Sequence, residues 1–571
     1  MMTVARYCLI VSLVWLLIPE PSWAQVTAPV PQGPLADQGR GSRMVTVNGE
    51  IGFLGELYSI SGRASRRPGD FARISLRSTI TAWNSVSASF SAMLSSEGSS
   101  TRQDINQIDF NPKWRWGEAH LGDFTHEFTS LTLSGIRVRG GGVMITPGKW
   151  RLSFLTGMTN RSVSTTDDNR SYERLVSGAR LGYGRSEGSY FDLYAFTATD
   201  RLGSLPTAPV DTTETLDTTT IEIGQNPAAV TPQENVVVSA LTNLVLFDRK
   251  LRWQSEIGGS ALTRDRRSAE ADVSDIPNFV TGVFKPRISS SADYAYRSEM
   301  ELTLARVTAT VGYEYIGPGY ISLGLTSQAD DRRQFSGGVM WRHRSGMVKF
   351  DGAIQSDNLI HQKLYTTDRL RLAGTTTYQM SKLWRANLMV LYTGAANDAP
   401  SNTMWTDYRS WVIRMGHNVS FARQFGLRSL TFDYTLQTAA DENPSRSGAK
   451  LESHSATVGG TYAIRENLEI LSSVGLISSH LGAAGRTLTQ TYSATARLTG
   501  IRNKLSVDGT LVATVGEKTT SLRPDLKSSC KIGSGLTASF ELESMFARSD
   551  NASQDGDFDE YTARFTLTRR F

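Results

Sequence analysis

The sequence predicts an all-β protein: a transmembrane antiparallel up-and-down β-barrel of about 26 strands. Three observations carry that expectation. The final segment alternates strictly between apolar and polar side chains, segments of the same kind recur along most of the chain, and the connections between them are by turns short and long.

At the start of the chain, Arg6 precedes an apolar run from Tyr7 to Ile18, and Ser22-Trp23-Ala24 stands before Gln25. A charged residue, a short apolar run and a small-x-small site read as a secretory signal over residues 1–24, cleaved between Ala24 and Gln25. The run is too short for a permanent membrane helix. Cys8 lies inside this leader, so processing leaves Cys530 alone and forms no intrachain disulfide. With no haem or paired-cysteine zinc motif, no cofactor is expected. Residues 25–43, with Pro29, Pro31 and Pro34, read as a flexible arm, and 44–571 as the barrel.

Composition narrows the class. Mean hydropathy is negative and no second long apolar segment follows the leader, which excludes a bundle of membrane helices. The net charge of +5 is small for 571 residues and the charges are interspersed, so no nucleic-acid partner is expected.

The alternating segments run for about ten to sixteen residues, enough for tilted spanning strands. Val307, Ala309, Val311, Tyr313 and Tyr315 oppose Thr308, Thr310, Gly312 and Glu314. Val348, Phe350 and Ile354 oppose Lys349, Asp351 and Gln355; Leu505, Val507, Leu511, Ala513 and Val515 oppose Ser506, Asp508, Thr510 and Thr514. From 106 to 142 the pattern weakens. Short connections such as 147–149, 186–188 and 344–346 alternate with long polar ones such as 160–171, 204–233, 263–291 and 438–449. Counting them gives roughly 26 strands within a range of about 22 to 26, with both termini on the short-turn side.

In the closing segment, Tyr561, Ala563, Phe565, Leu567 and Phe571 share one face, and Thr562, Arg564, Thr566, Thr568 and Arg570 the other. This resembles the closing strand of bacterial outer-membrane β-barrels. The resemblance implies location in the bacterial outer membrane, periplasmic termini, and contact with lipid and lipopolysaccharide. It also implies that Tyr561, Phe565, Leu567 and Phe571 form the signal read by the barrel assembly machinery. Arg569 departs from the pattern on the outward face, close enough to the strand end to snorkel.

A ring of about 26 strands implies a backbone diameter of roughly 50 Å, which wall side chains cannot fill. Inward loops, a flattened barrel or a plug or passenger protein must then control the bore. The longest loops, 205–233 with Asp211, Glu214, Asp217 and Glu222, and 264–291, are the candidates for self-occlusion. The expected role is a channel or translocation conduit. The alternatives are a passive porin, a secretion translocon, and a structural sheath around a partner such as a cytochrome whose haems belong to that partner.

Local features carry two readings each. The glycine-rich stretch 122–142 and Gly317-Pro318-Gly319 are corners in the wall or contact sites for a plug or passenger. Asp555, Asp557 and Asp559 are weak calcium candidates or solvated loop charge. Tyr190, Tyr194, Trp150, Trp341, Trp384 and Trp411 suit interfacial girdles. Arg63, Arg66 and Arg67 offer a basic first loop to lipopolysaccharide. His120, His126, His343, His361, His417, His454 and His480 are scattered without a nucleophile signature, so no enzyme is expected.

Overall fold

A computed structural model describes residues 45–571 apart from 66, 68, 84, 98–105, 165–169, 206–229, 272–283, 328–329, 422–424, 447–448, 483–484, 502–503 and 550–556. The described residues contain a single 26-stranded sheet. Its first strands are β1 (Val45–Ser61), β2 (Asp70–Ala82), β3 (Val86–Ser95) and β4 (Gln107–Trp114). Then come β5 (Gly117–Thr125), β6 (Arg137–Ile145), β7 (Trp150–Asn160), β8 (Arg174–Gly184), β9 (Tyr190–Asp200), β10 (Glu234–Leu246), β11 (Leu251–Thr263), β12 (Ser290–Leu304) and β13 (Val307–Ile316). The next group is β14 (Arg332–His343), β15 (Gly346–Asp357), β16 (Thr367–Gln379), β17 (Trp384–Asn397), β18 (Asp407–Ser420) and β19 (Gly426–Asp441). The last is β20 (Leu451–Arg465), β21 (Leu468–Leu481), β22 (Arg486–Ile501), β23 (Leu505–Val515), β24 (Thr519–Gly533), β25 (Leu536–Ser549) and β26 (Phe558–Arg570).

Each strand pairs antiparallel with its successor, and β1 pairs with β26 from Glu50↔Arg570 to Ser61↔Asp559. Phe571 extends this seam: its N–H donates to the Gly49 carbonyl at 3.0 Å, and the Gly49 N–H donates to the Phe571 carbonyl at 2.9 Å. Closure leaves no free sheet edge, as a strand-built membrane protein requires.

The period of two decides the faces. Val238, Val311, Phe350, Val458, Leu511 and Phe565 stand exposed on the outside, while their sequence neighbours point into the lumen. An apolar exterior around a closed ring is the architecture of outer-membrane barrels. Among the described residues no helix is long and apolar enough to cross a membrane. The expected strand number is therefore met, and β4 to β6, at 8, 9 and 9 residues, occupy the region where the alternation was weak.

Trp150, Trp341, Trp384 and Trp411 are exposed on the outer wall, Trp150 edge-on to Tyr183 and Trp411 beside Tyr392. Tyr190 and Tyr194 correct the girdle expectation. Both occupy the inward parity of β9, where the Arg151 guanidinium lies 3.7 Å over the Tyr190 ring and the Tyr194 hydroxyl donates to Asp192 at 2.9 Å. An amphipathic ring suits any apolar-polar boundary, and here the polar partner is inside.

Candidate functional site: two inward connections that meet in the lumen

The inner face of β5 to β13 carries an apolar patch among buried polar side chains such as Asp192, Asn235 and Glu256. Val138, Leu155, Val176, Phe196, Ala198, Val237, Ala295 and Ile316 are buried and form one cluster. Wall side chains facing an aqueous lumen would stay wet, so something covers them.

The cover is the connection 126–136 between β5 and β6 together with residues 317–327, which follow β13. Their Leu131, Leu133 and Tyr320 are 1%, 0% and 0% exposed and complete the cluster. Fully burying such side chains stabilises by about 1.5 to 3 kcal/mol each. The two connections also bond to each other. Ser134 and Leu325 form a parallel bridge, the Ser134 N–H donates to the Gly324 carbonyl at 2.9 Å, the Tyr320 hydroxyl to the Leu131 carbonyl at 2.9 Å, and the Ser322 hydroxyl to the Thr132 carbonyl at 2.5 Å.

The sequence folds this way for local reasons. Gly317-Pro318-Gly319 ends β13 and turns the chain inward, and the Gly319 N–H donates to the Asp293 carboxylate at 2.9 Å. A side chain at Gly324 would put a Cβ 2.3 Å from the Thr132 carbonyl oxygen and against the Phe196 ring, so only glycine fits there. Thr129 caps the other turn, accepting from the N–H groups of Leu131 and Thr132 at 3.2 Å. The wall holds the pair through Asn235, whose amide donates to the Ile321 carbonyl and whose oxygen accepts from the Leu323 N–H, both at 2.9 Å. We call this assembly the latch.

Charges flank it. Asp331, directly before β14, pairs with Lys363. Burial works against its ionised form, but the Lys363 ammonium and the N–H groups of Leu359 and Asn358 outweigh that and hold its pKa low. His126, at the start of 126–136, lies 6.3 Å from the His120 ring and edge-on to Phe128 at 5.0 Å, with its Nε2 buried and unpartnered. Burial first, then the Arg180 guanidinium and His120, push its pKa down to about 4.

The sites expected from sequence fall differently. The glycine-rich stretch and the Gly-Pro-Gly turn, far apart in the chain, are the two that the fold brings together. Ala24, Gln25, Asp211, Glu214, Asp217, Glu222, Arg66 and Asp555 lie outside the described residues. Asp557 accepts from the Ser549 N–H at 3.0 Å, and Asp559 pairs with Arg548 at 2.6 Å. Tyr561 and Phe565 are exposed on the outer face of β26, and Leu567 lies opposite Phe53 and Ala538. Arg67 is not free for a lipid head group: it donates to Glu56 at 3.1 Å and Thr562 at 2.7 Å and stacks 4.1 Å over Tyr58. The nearby Glu56 is buried and also binds Arg564 at 2.6 Å, so the seam's charge recruits Arg67.

The remaining wall is polar. On β20 to β24 hydroxyl pairs link neighbouring strands: Ser453 with Ser479, Ser473 with Ser493, Thr495 with Thr510 and Ser506 with Ser529, at 2.7 to 3.0 Å. No buried apolar cluster of the latch's kind is present there among the described residues.

No protein-family model matches the chain, and no curated protein does. Among solved structures it is similar to a ferric enterobactin receptor from Pseudomonas aeruginosa, with 10% identity, coverage of 92% of this chain and 80% of that one, and a TM-score of 0.43. The FrpB iron transporter from Neisseria meningitidis gives 8% identity, 92% and 81% coverage and a TM-score of 0.38. OprD from Pseudomonas aeruginosa gives 9%, 60% and 90%, and 0.29.

Proposed function

We propose that the protein is an outer-membrane channel whose bore is set by the latch, with solutes passing along the uncovered wall of β14 to β26. The bonded pairing of 126–136 with 317–327 over the apolar inner wall supports this most directly. A ring this wide cannot be closed by wall side chains, and the latch is built from the chain itself. The open hydroxyl-rich sector supports a second reading, in which a passenger protein sits against it and the barrel acts as its conduit or sheath.

Current through the purified full chain in planar lipid tests the first reading. Wild type should conduct steadily, and Gly324→Val, which drives a Cβ into the Thr132 carbonyl and the Phe196 ring, should raise the conductance by displacing the latch. Equal conductance in the two, with the variant folded, overturns the latch as the bore's control. A wild-type barrel that is silent when pure and arrives from native membranes with a stoichiometric protein favours the passenger.

A further inference from the structure

We propose that the open half of the bore is a pathway for oxyanions, guided by a ladder of cations on the inner face of β14 to β18. The inference rests on the channel reading and names its solute class.

The ladder is read from the register. Along β16 the inward positions are 369, 371, 373, 375, 377 and 379, and each belongs to a row of cross-strand partners. Arg369 and Arg371 lead the first two rows themselves. The next row holds Asp351 opposite Ala373. Lys349, Thr375, Met389 and Arg414 then share a row, because Lys349 pairs with Thr375, Thr375 with Met389 and Met389 with Arg414. Arg342 follows, opposite Met347 and in line with Thr377, and Arg385 closes the series opposite Gln379. Adjacent rows lie about 6.7 Å apart along a strand, so the series covers roughly 33 Å of wall. All of these cations are exposed, and on a strand whose other face meets lipid that exposure is to the lumen.

Their neutralisation is sparse. Asp351 serves two of them, Lys349 at 3.0 Å and Arg371 at 3.9 Å. Arg342, Arg369 and Arg414 meet no carboxylate among the described residues, and Arg385 donates to the neutral Gln379 amide at 3.2 Å. Other lumen cations are paired, Lys527 with Glu541, Arg564 with Glu56 and Glu543, Arg151 with Asp192, Arg174 with Asp200 and Arg332 with Glu314. Those without a carboxylate among the described residues, such as Arg77 of β2 and Arg180 of β8, stand singly and form no series along the wall. Unpaired guanidinium groups at successive levels suit carboxylates and phosphates, which they bind in bidentate fashion and can hand on between levels. The hydroxyl wall beside them offers neutral hydrogen bonds.

Screening fixes the conditions of the test. The field of the ladder reaches about 30 Å into the lumen at 0.01 M salt, about 10 Å at 0.1 M and about 3 Å at 1 M. The full chain in planar lipid, under a roughly tenfold KCl gradient between about 0.01 M and 0.1 M, should therefore show a reversal potential of anion-selective sign. The quadruple variant R342Q, R369Q, R385Q and R414Q should lose at least about half of the chloride-over-potassium preference. The quadruple Lys variant should keep it. Arg306→Gln with Arg344→Gln, both in short turns, should leave it unchanged. Tripolyphosphate or citrate should block the wild-type current and not the Gln variant's, the two probes separating phosphate from carboxylate chemistry. An unselective or cation-selective wild type, selectivity that survives the Gln substitutions, or block by neither anion overturns the proposal. A barrel that passes no current sinks the channel reading instead, and tripolyphosphate titrated into the detergent-purified barrel then decides the ladder. Binding lost in the Gln variant supports it; wild-type binding that is absent or unaffected overturns it.

Discussion

On β10 the inward side chains Asn235, Val237, Ser239 and Leu241 are all buried, Asn235 and Val237 directly against the latch. On β22 the inward Thr489, Thr491, Ser493 and Thr495 remain half-exposed to the lumen. The outward neighbours in the two places, Val238 and Tyr492, are alike exposed and apolar. Lipid therefore sets one rule around the whole ring, while the inner face is free to vary. It varies in halves: apolar residues and glycines where a connection must dock, and hydroxyls and cations where the wall stays wet.

Removing the latch's anchors should have the largest effect. Leu131→Ser with Leu133→Ser takes two fully buried side chains out of the cluster, at a cost of about 2 to 5 kcal/mol for each large-to-small change. Planar-lipid conductance should roughly double if the latch leaves half the section open. Thr491→Ala with Ser493→Ala in the other half should leave it unchanged. Equal responses would mean that the two halves do not differ in occlusion.

Arginine scanning sharpens the comparison at the next level. In the open half, Leu511→Arg places a charge against lipid at a cost of about 2 to 4 kcal/mol near the midplane, whereas Thr510→Arg faces water. In the filled half both faces should object: Val238→Arg meets lipid, and Val237→Arg, at a position with 0% exposure, meets the latch core. The amount of heat-modifiable barrel in the outer membrane measures each. Tolerance of Val237→Arg equal to that of Thr510→Arg would remove the distinction between the halves.

Much of the wall was legible because alternation is a local signal. Val307 to Tyr315, Leu505 to Val515 and the closing Tyr561 to Phe571 each announce a strand and its faces without knowledge of their partners. The latch was half legible. Gly122 to Gly142 and Tyr315 to Gly324 stood out as irregular, but their meeting depends on closing the ring across about two hundred residues, a distance no local pattern encodes. The ladder was hidden for a related reason. Only Arg369 and Arg371 are neighbours in one strand, and Lys349, Arg342, Arg385 and Arg414 join them through register. Tyr190 and Tyr194 misled because a tyrosine on an alternating strand suits an outer girdle as well as an inner hydrogen bond, and parity against Asp192 decides it.

The smallest effect expected is a pH response confined to the filled half. His126 has a pKa near 4 in the closed latch, lowered by burial and by the Arg180 guanidinium and His120, against an ordinary value of about 6.5. The groups facing it from the adjoining elements are His120 of β5, Phe128 of its own connection and Arg180 of β8. No carboxylate is among them to welcome a proton. A released His126 binds protons more readily than a docked one, so closure is favoured fully above pH ~6.5 and loses that support as the pH falls towards ~4. Between pH 7 and pH 5 the loss is roughly 2 kcal/mol. Acidification over that range should reversibly raise the occupancy of a higher-conductance level in single channels, and His126→Gln should flatten the response while leaving the pH 7 conductance near wild type. Lys363→Met provides the contrast, because Asp331 gains from its ion pair throughout this range and the variant should weaken closure equally at pH 7 and pH 5. A pH response that persists in His126→Gln would show that acid acts through the open half or the wall, and the latch would then be a fixed constriction.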